Sequence, residues 1–188
     1  MHEPRRLNDG REMIITISGA PGTGTTTLAR GLAQALGLRW VNSGEIFRRI
    51  ASERGVSVRE LNRLAEKGPE IDYQIDDAQK ALAREGDGIF EGRLAGHLLP
   101  ADLRVLLKAD LRARAERIAK RESKLSEDAM HETRAREESE ARRYKMYYNI
   151  DIGDLSVYDL VVDTGKFDEA GTLSLVLAAA RARQSQGP

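Results

Sequence analysis

No cysteine occurs in the chain, which excludes a disulfide framework and any thiolate metal site. Net charge is missing too: 30 Lys and Arg stand against 30 Asp and Glu. A generic nucleic-acid binder carries a marked basic excess, so nucleic acid is not an expected partner. No apolar run approaches the ~20 residues of a membrane-spanning helix, so no membrane partner is expected. The stretch from Met1 to Arg11 is polar and lacks the apolar core of a secretion signal. A cytoplasmic location is therefore expected. No internal repeat is visible, and 188 residues suit one domain with a sizeable core.

What is present is organised around Gly19-Ala20-Pro21-Gly22-Thr23-Gly24-Thr25-Thr26-Thr27. The β-branched run Met13–Ile17 precedes it, and Leu28, Leu32, Ala35 and Leu36 follow at helical spacing. Strand, glycine-rich loop, helix is the order in which a loop becomes a phosphate cradle. Backbone N–H groups converge on an anion, and the positive end of the helix dipole points the same way. Gly19 and Gly24 stand five apart, as in G-x-x-x-x-G-K-[ST], and Thr26 occupies the hydroxyl position that holds Mg²⁺. The lysine position holds Thr25, so positive charge must come from elsewhere. Without a ligand, the same residues make a tight turn.

Further strands are expected at Leu38–Val41, Gly88–Phe90, Leu103–Leu107 and Leu160–Val162, after a first strand at Met13–Ser18. Helices are expected at about Thr25–Leu36, stopped by Gly37, and at Ser43–Arg54 with Ser43 as its cap. Others follow at Val56–Lys67, Glu70–Arg84, Leu111–Glu122 behind Asp110, Ser126–Tyr148 and Ala170–Arg183. This alternation predicts an α/β fold, a parallel sheet with helices on both faces. Ligands in such sheets bind beyond the carboxyl ends of strands. The glycine loop and Glu91-Gly92-Arg93, each at a strand end, would open into one crevice. Residues 1–12 are expected to be a flexible leader, with Met13 a second candidate start, and residues 184–188 a polar tail.

Four groups of charged residues accompany the loop. Ser43-Gly44-Glu45-Ile46-Phe47-Arg48 opens a helix, and Arg48 lies one turn above Gly44. An arginine there either clamps a phosphate in two places or sits on the surface. Glu91 could hold Mg²⁺ through water while Arg93 reaches a second phosphate; a solvated Gly-Arg turn is the plainer reading. Arg114, Arg117 and Arg121 form one helical stripe at the edge of the buried face. Arg136, Glu140 and Arg143 form another on a long polar helix, which either floats in solvent or covers an anion. With Ser123–Asp128 before it as a flexible entrance, that helix reads as a mobile lid closing over phosphates.

With these motifs in order, the chain resembles the cytidylate kinases, most closely their archaeal branch, within the adenylate-kinase-like P-loop nucleoside monophosphate kinases. The resemblance spans Met13 to about Leu177. Gly22–Thr27 resembles the archaeal phosphate loop, where threonine also stands for lysine. Ser43–Arg48 is similar to the monophosphate-binding motif, Glu91-Gly92-Arg93 to an Asp-Gly-Arg turn, and Arg136, Glu140 and Arg143 to the lid's arginine–acid–arginine pattern.

The resemblance implies transfer of the γ-phosphoryl group of ATP, with Mg²⁺, to CMP or dCMP. It implies a single kinase domain over residues 13–183, with a monophosphate-binding segment at 43–86 and a lid at 122–148. Gly19, Ala20, Pro21, Gly22, Thr23, Gly24, Thr25, Thr26 and Thr27 would hold the donor phosphates. Thr26, and Glu91 through water, would serve the metal. Ser43, Arg48, Arg93, Arg136, Glu140 and Arg143 would bind the acceptor. Arg93, Arg117, Arg121 and Arg143 would neutralise charge during transfer. A monomer is favoured. The alternatives are a kinase of this fold with another acceptor, such as AMP or UMP, and a nucleotide-dependent switch without catalysis.

Overall fold

The computed structural model describes residues 13–185; the expected leader and residues 186–188 lie outside them. Five strands form one sheet: β1 Ile14–Gly19, β2 Trp40–Asn42, β3 Gly88–Glu91, β4 Leu103–Lys108 and β5 Leu160–Asp163. Their order is β2-β3-β1-β4-β5, and every neighbouring pair is parallel. The helices are α1 Thr25–Leu36, α2 Ser43–Glu53, α3 Val58–Ala65, α4 Glu70–Arg84, α5 Ala95–Leu98, α6 Leu111–Glu122, α7 Ser126–Tyr148 and α8 Glu169–Ser185.

Parallel strands need crossovers, and side-chain alternation along each strand supplies two faces to cover. Ile15, Ile17, Ile89, Val105 and Leu107 turn one way, onto Leu28 and Leu32 of α1 and Val176 and Ala180 of α8. Phe90, one residue on from Ile89, turns the other way onto Ala83, Ala95 and Leu99. The chain fills one side of β1 with β2 and β3, then crosses to the other with β4 and β5. β1 is therefore the switch point, and the loop leaving its carboxyl end faces the crevice where such sheets bind ligands. Ile17 pairs with Glu91 across β1 and β3, which sets that carboxylate beside the glycine loop.

Two smaller cores lie off the sheet. Ile46, Ile50, Leu61, Ala65, Ile71 and Ile75 join α2, α3 and α4. Ala115, Ile118, Ala119 and Ala129 join α6 to α7.

Several expected boundaries move, each for a local reason. Ser43 is the first helical residue of α2, not its cap. Asn42 caps it, its side chain accepting from the Glu45 N–H at 3.0 Å. β2 is a three-residue edge strand shifted to Trp40–Asn42, because only that stretch pairs with β3. α3 starts at Val58, where the Ser57 hydroxyl accepts from the Glu60 N–H at 3.1 Å. The one-turn helix α5 has too few residues to show a periodicity. Gln184 and Ser185, expected in the tail, continue α8. Gly37 ends α1 as expected, in the left-handed conformation at φ 67°.

Candidate active site

The glycine loop is tightly built. Thr23 folds its hydroxyl back to donate to the Ala20 carbonyl at 2.7 Å. A Cβ on Gly19 would come within 2.5 Å of that hydroxyl, so only glycine fits there. Gly24 opens α1 at φ 93°, and no side chain caps the helix. Its first N–H groups are thereby left for an anion, the arrangement that binds phosphate.

Glu91 is the hub behind the loop. Its Oε1 accepts from the hydroxyls of Thr25 and Thr26, both at 2.7 Å. Its Oε2 accepts from Trp40 Nε1 at 3.1 Å and Asn42 Nδ2 at 2.5 Å. Thr25, in the lysine position, thus turns its hydroxyl toward an acid rather than supplying charge to a ligand. Thr26 and Glu91 together are a hydroxyl backed by a carboxylate. Among the described residues no cluster of three or more acids or histidines could cage a metal. A hydroxyl plus one carboxylate fits Mg²⁺, which keeps waters and takes most of its ligands from substrate phosphates.

Two cavities meet in front of this hub. The larger, about 280 Å³, runs from the glycine loop past Trp40, Asn42, Glu91, Arg48 and Arg121. The smaller, about 70 Å³, lies between α2, α4 and α7 and has Phe47, Ile75 and Tyr144 beside Asp72, Asp76 and Arg143. Ser43, Gly44, Arg93 and Arg136 line both. A group at this junction would face the N-terminus of α2 and two guanidinium groups, which is chemistry for a phosphate. A third cavity, about 240 Å³, lies on the far side of the loop, against Arg117, Thr164, Phe167 and Thr172. The Thr172 hydroxyl is buried there without a partner among the described residues.

The expected arginine stripes are divided by the tertiary structure. Arg114 is buried, donating to the Ala109 carbonyl at 3.0 Å, the Pro21 carbonyl at 3.3 Å and the Glu137 carboxylate. It ties α6 and α7 to the loop. Arg117 backs the loop, donating to the Gly22 carbonyl at 3.2 Å and the Thr164 carbonyl at 2.7 Å. Arg121 lines the large cavity and pairs with Glu122 at 2.7 Å. The guanidinium of Arg48 folds back over Gly44, whose added Cβ would lie 3.4 Å from it.

On α7 two of the expected site residues line the small cavity and already have protein partners. Glu140 is one. It is 3% exposed, with its two oxygens taken by Arg93 Nε and Arg136 Nε, each at 2.7 Å. Burial pushes its carboxyl up, but the Arg136 and Arg93 charges more than offset this and hold it below the ordinary value. Arg143 lines the small cavity rather than the loop cavity. Its Nε and Nη2 donate to Asp72 at 2.9 and 3.4 Å, and its Nη1 to Ser139 Oγ at 3.0 Å. A buried guanidinium needs such partners, and α4 provides the acid.

Asn42, Trp40, Asp72, Asp76, Gln79 and Tyr148 also belong to the site and were missed by sequence reasoning. Asp72 and Asp76 left a signal: acids four apart, each beside an apolar residue of the buried face, Ile71 and Ile75. The other four left none, since their roles depend on β2, α4 and α7 meeting at the strand ends.

The family model described as "Cytidylate kinase-like family" matches residues 14–166. The chain belongs to this family. The kinase is 71% identical over 170 residues to the "Cytidylate kinase" of Methanothrix thermoacetophila, covering 90% of this chain and 99% of that protein. It is 50% identical to the "Cytidylate kinase" of Methanocella arvoryzae, covering 89% and 96%. Solved structures share the fold at low identity. An uncharacterized protein from Eubacterium ventriosum gives a TM-score of 0.68 at 17% identity, covering 90% of this chain and 99% of that one. Shikimate kinase from Acinetobacter baumannii in complex with shikimate gives 0.57 at 14%, covering 91% and 94%. No helix of the kinase, among the described residues, is long and apolar enough to cross a membrane.

Proposed function

We propose that this kinase transfers the γ-phosphoryl group of ATP to CMP or dCMP, giving CDP or dCDP and ADP. The observation that carries the reading is the 71% identity to a protein named cytidylate kinase, over 99% of that protein's length. The two cavities sharing Ser43, Gly44, Arg93 and Arg136 support it. In this reading the acceptor phosphate sits at the junction, its base in the small cavity and the donor phosphates in the glycine loop. The donor base lies beyond the loop, against Arg117 and Phe167.

Phosphoryl transfer asks mainly for in-line positioning and charge neutralisation. The loop N–H groups hold the donor, Arg48 and Arg93 orient the acceptor, and Arg121 lies at the edge of the transfer path. Residues 43–86 act as the acceptor segment, with a small core of their own, and residues 122–148 as the lid, packed on α6 through Ala129. Thr26, with Glu91 behind it through water, would hold Mg²⁺, which adds positive charge to the donor phosphates when bound. The protein works as a cytoplasmic monomer without nucleic-acid or membrane partners.

A coupled ADP-release assay with ATP, Mg²⁺ and a panel of monophosphates tests the reading. CMP and dCMP are expected to exceed AMP, UMP and GMP in kcat/KM by about tenfold or more, roughly 1.4 kcal/mol in the transition state. A panel led by AMP would overturn the base assignment; no ADP release with any acceptor would favour the switch.

A further inference from the structure

Successive carbonyls of the glycine loop are all taken by hydrogen bonds, most of them from outside the loop. The Ala20 carbonyl accepts from Thr23 itself, from its N–H at 3.1 Å and its hydroxyl at 2.7 Å. The Pro21 carbonyl accepts from Arg114 at 3.3 Å, the Gly22 carbonyl from Arg117 at 3.2 Å and the Thr23 carbonyl from the Thr164 hydroxyl at 3.0 Å. A trans peptide is planar, so its C=O and N–H point opposite ways. Carbonyls drawn to the back of the loop therefore turn the N–H groups of Gly22 and Gly24 to its front. Neither N–H has a protein partner among the described residues, and both glycines line the large cavity. Thr164 lies just past β5. Its hydroxyl accepts from Arg117 Nη1 at 3.0 Å and its carbonyl from Arg117 Nη2 at 2.7 Å. A hydroxyl has one proton to give. The Lys108 carbonyl is also in reach, at 3.3 Å, but it is farther than Thr23 and already accepts from the Thr164 N–H at 2.8 Å.

We infer that Thr164 is a positioning residue of the glycine loop: its hydroxyl, oriented by Arg117, holds the Thr23 carbonyl back and so aims the Gly24 N–H at the donor phosphates. The inference rests on the proposed use of this loop as the donor-phosphate site. The arrangement also bears on the missing lysine. Hydrogen bonds in a chain polarise one another. Here the chain runs from the Arg117 guanidinium through the Thr164 hydroxyl to the Thr23–Gly24 peptide. Positive charge behind the loop thereby strengthens a preorganised donor at its front. Arg114 acts in the same sense on the Pro21–Gly22 peptide. Arg117 serves phosphate binding in this way without touching phosphate, since it lines the third cavity and its bonds run to Gly22 and Thr164.

The test is the affinity of Thr164→Val for tripolyphosphate, ATP and CMP, by calorimetry. Tripolyphosphate has the donor's phosphate chain and no base. Valine keeps the shape of the side chain and removes its hydroxyl. Tripolyphosphate and ATP should each bind about tenfold more weakly, the worth of one hydrogen bond left unmade, with CMP unchanged. Thr164→Ser, which keeps the hydroxyl, should restore both. A loss for ATP alone would overturn the inference and make Thr164 a contact of the donor's base in the third cavity. An equal loss for CMP, or a lower Tm with all affinities intact, would overturn it as well and leave Thr164 a strut between β5 and the loop. If Thr164→Val does not yield folded protein, Arg117→Gln, at an exposed position, carries the same test in high salt, which screens a remote charge. Tripolyphosphate should again bind more weakly, and an unchanged affinity would overturn the inference. An unaltered protein that binds CMP but neither ATP nor tripolyphosphate would instead overturn the reading of the loop as the donor site, and that is measured first.

Discussion

At the scale of single residues, the charges divide into those that hold the fold and those that face the cavities. Thr25 spends its hydroxyl on Glu91, and Glu91 keeps three other donors when it is lost. Thr25→Ala is therefore expected to lower kcat by about tenfold or less. Arg121→Ala is expected to lower it by about 10²–10³, the loss typical of one preorganised charge-stabilising donor. Measuring kcat for both at saturating ATP, Mg²⁺ and CMP checks the pair; the reverse order would show that the cation is not Arg121. Asp76 and Glu140 should oppose each other in pH dependence. Burial, with the Asp72 charge added, pushes Asp76 from 3.8 up to about 6 against the Tyr148 hydrogen bond. Asp77 and Lys80 on its own helix, Arg93 after β3, and Arg136, Glu140, Arg143 and Tyr144 on α7 are the other charged or titratable groups around it. The native state holds that proton between 3.8 and about 6 while the unfolded chain releases it, so this group's contribution falls as pH rises through the window. Asp76→Asn should accordingly raise Tm at pH 7.5, by up to about 3 kcal/mol in stability, with a smaller gain at pH 4.5. Glu140, held low, contributes stability above its ordinary value of 4.5, and that contribution is lost as pH falls.

At the scale of elements, α7 decides the site. Its sequence is polar almost throughout, and only Ala129, Thr133, Ser139, Glu140, Arg143 and Tyr144 are buried. Hydrophobic burial contributes little to holding it down. It is pinned by ions and hydrogen bonds: Arg114 to Glu137, Arg93 to Glu140, Arg143 to Asp72, and Ser139 Oγ to Glu66 at 2.6 Å. An element held this way can release when a pair breaks, which suits a lid. Glu140→Ala leaves Arg93 buried without its acid, and removing one partner of a buried pair costs about 3 kcal/mol or more. The expected outcome is a Tm lower by about 6–12 °C, with amide exchange accelerated in residues 126–148 before the sheet. Unchanged exchange in α7 would show that its anchorage lies elsewhere. The existence of α7 and its inward stripe were legible because 3.6-residue periodicity is local. Its docking partners were not, because they lie on α4, α6, the end of α3 and the turn after β3.

For the whole molecule, the cavities on either side of the junction predict how ligands add. A ligand that binds only the native state stabilises it by mass action, about 2.7 kcal/mol at a hundred times Kd. At about 2–4 °C per kcal/mol for a chain of this size, CMP alone and ATP alone should each raise Tm by several degrees, and a non-hydrolysable ATP analogue with CMP by more than either. A protein stabilised by ATP and unaffected by CMP would behave as the switch. Light scattering at the mass of one 20.9 kDa chain checks the expected monomer, and a mass twice that would refute it.

The sequence by itself determined the strand–loop–helix at Gly19–Thr27, the alternation that makes a parallel sheet, most helix spans, and the family. These rest on local patterns: glycine spacing, β-branched runs and helical periodicity. Only the tertiary structure decided which charges face a ligand and which face one another. Arg143 meets Asp72 across 71 residues of chain, and Thr26 meets Glu91 across 65. A stripe of arginines reads the same whether it awaits a phosphate or already has a carboxylate. Burial makes the difference, because a buried guanidinium must find an acid, and the fold sets which acid is within reach.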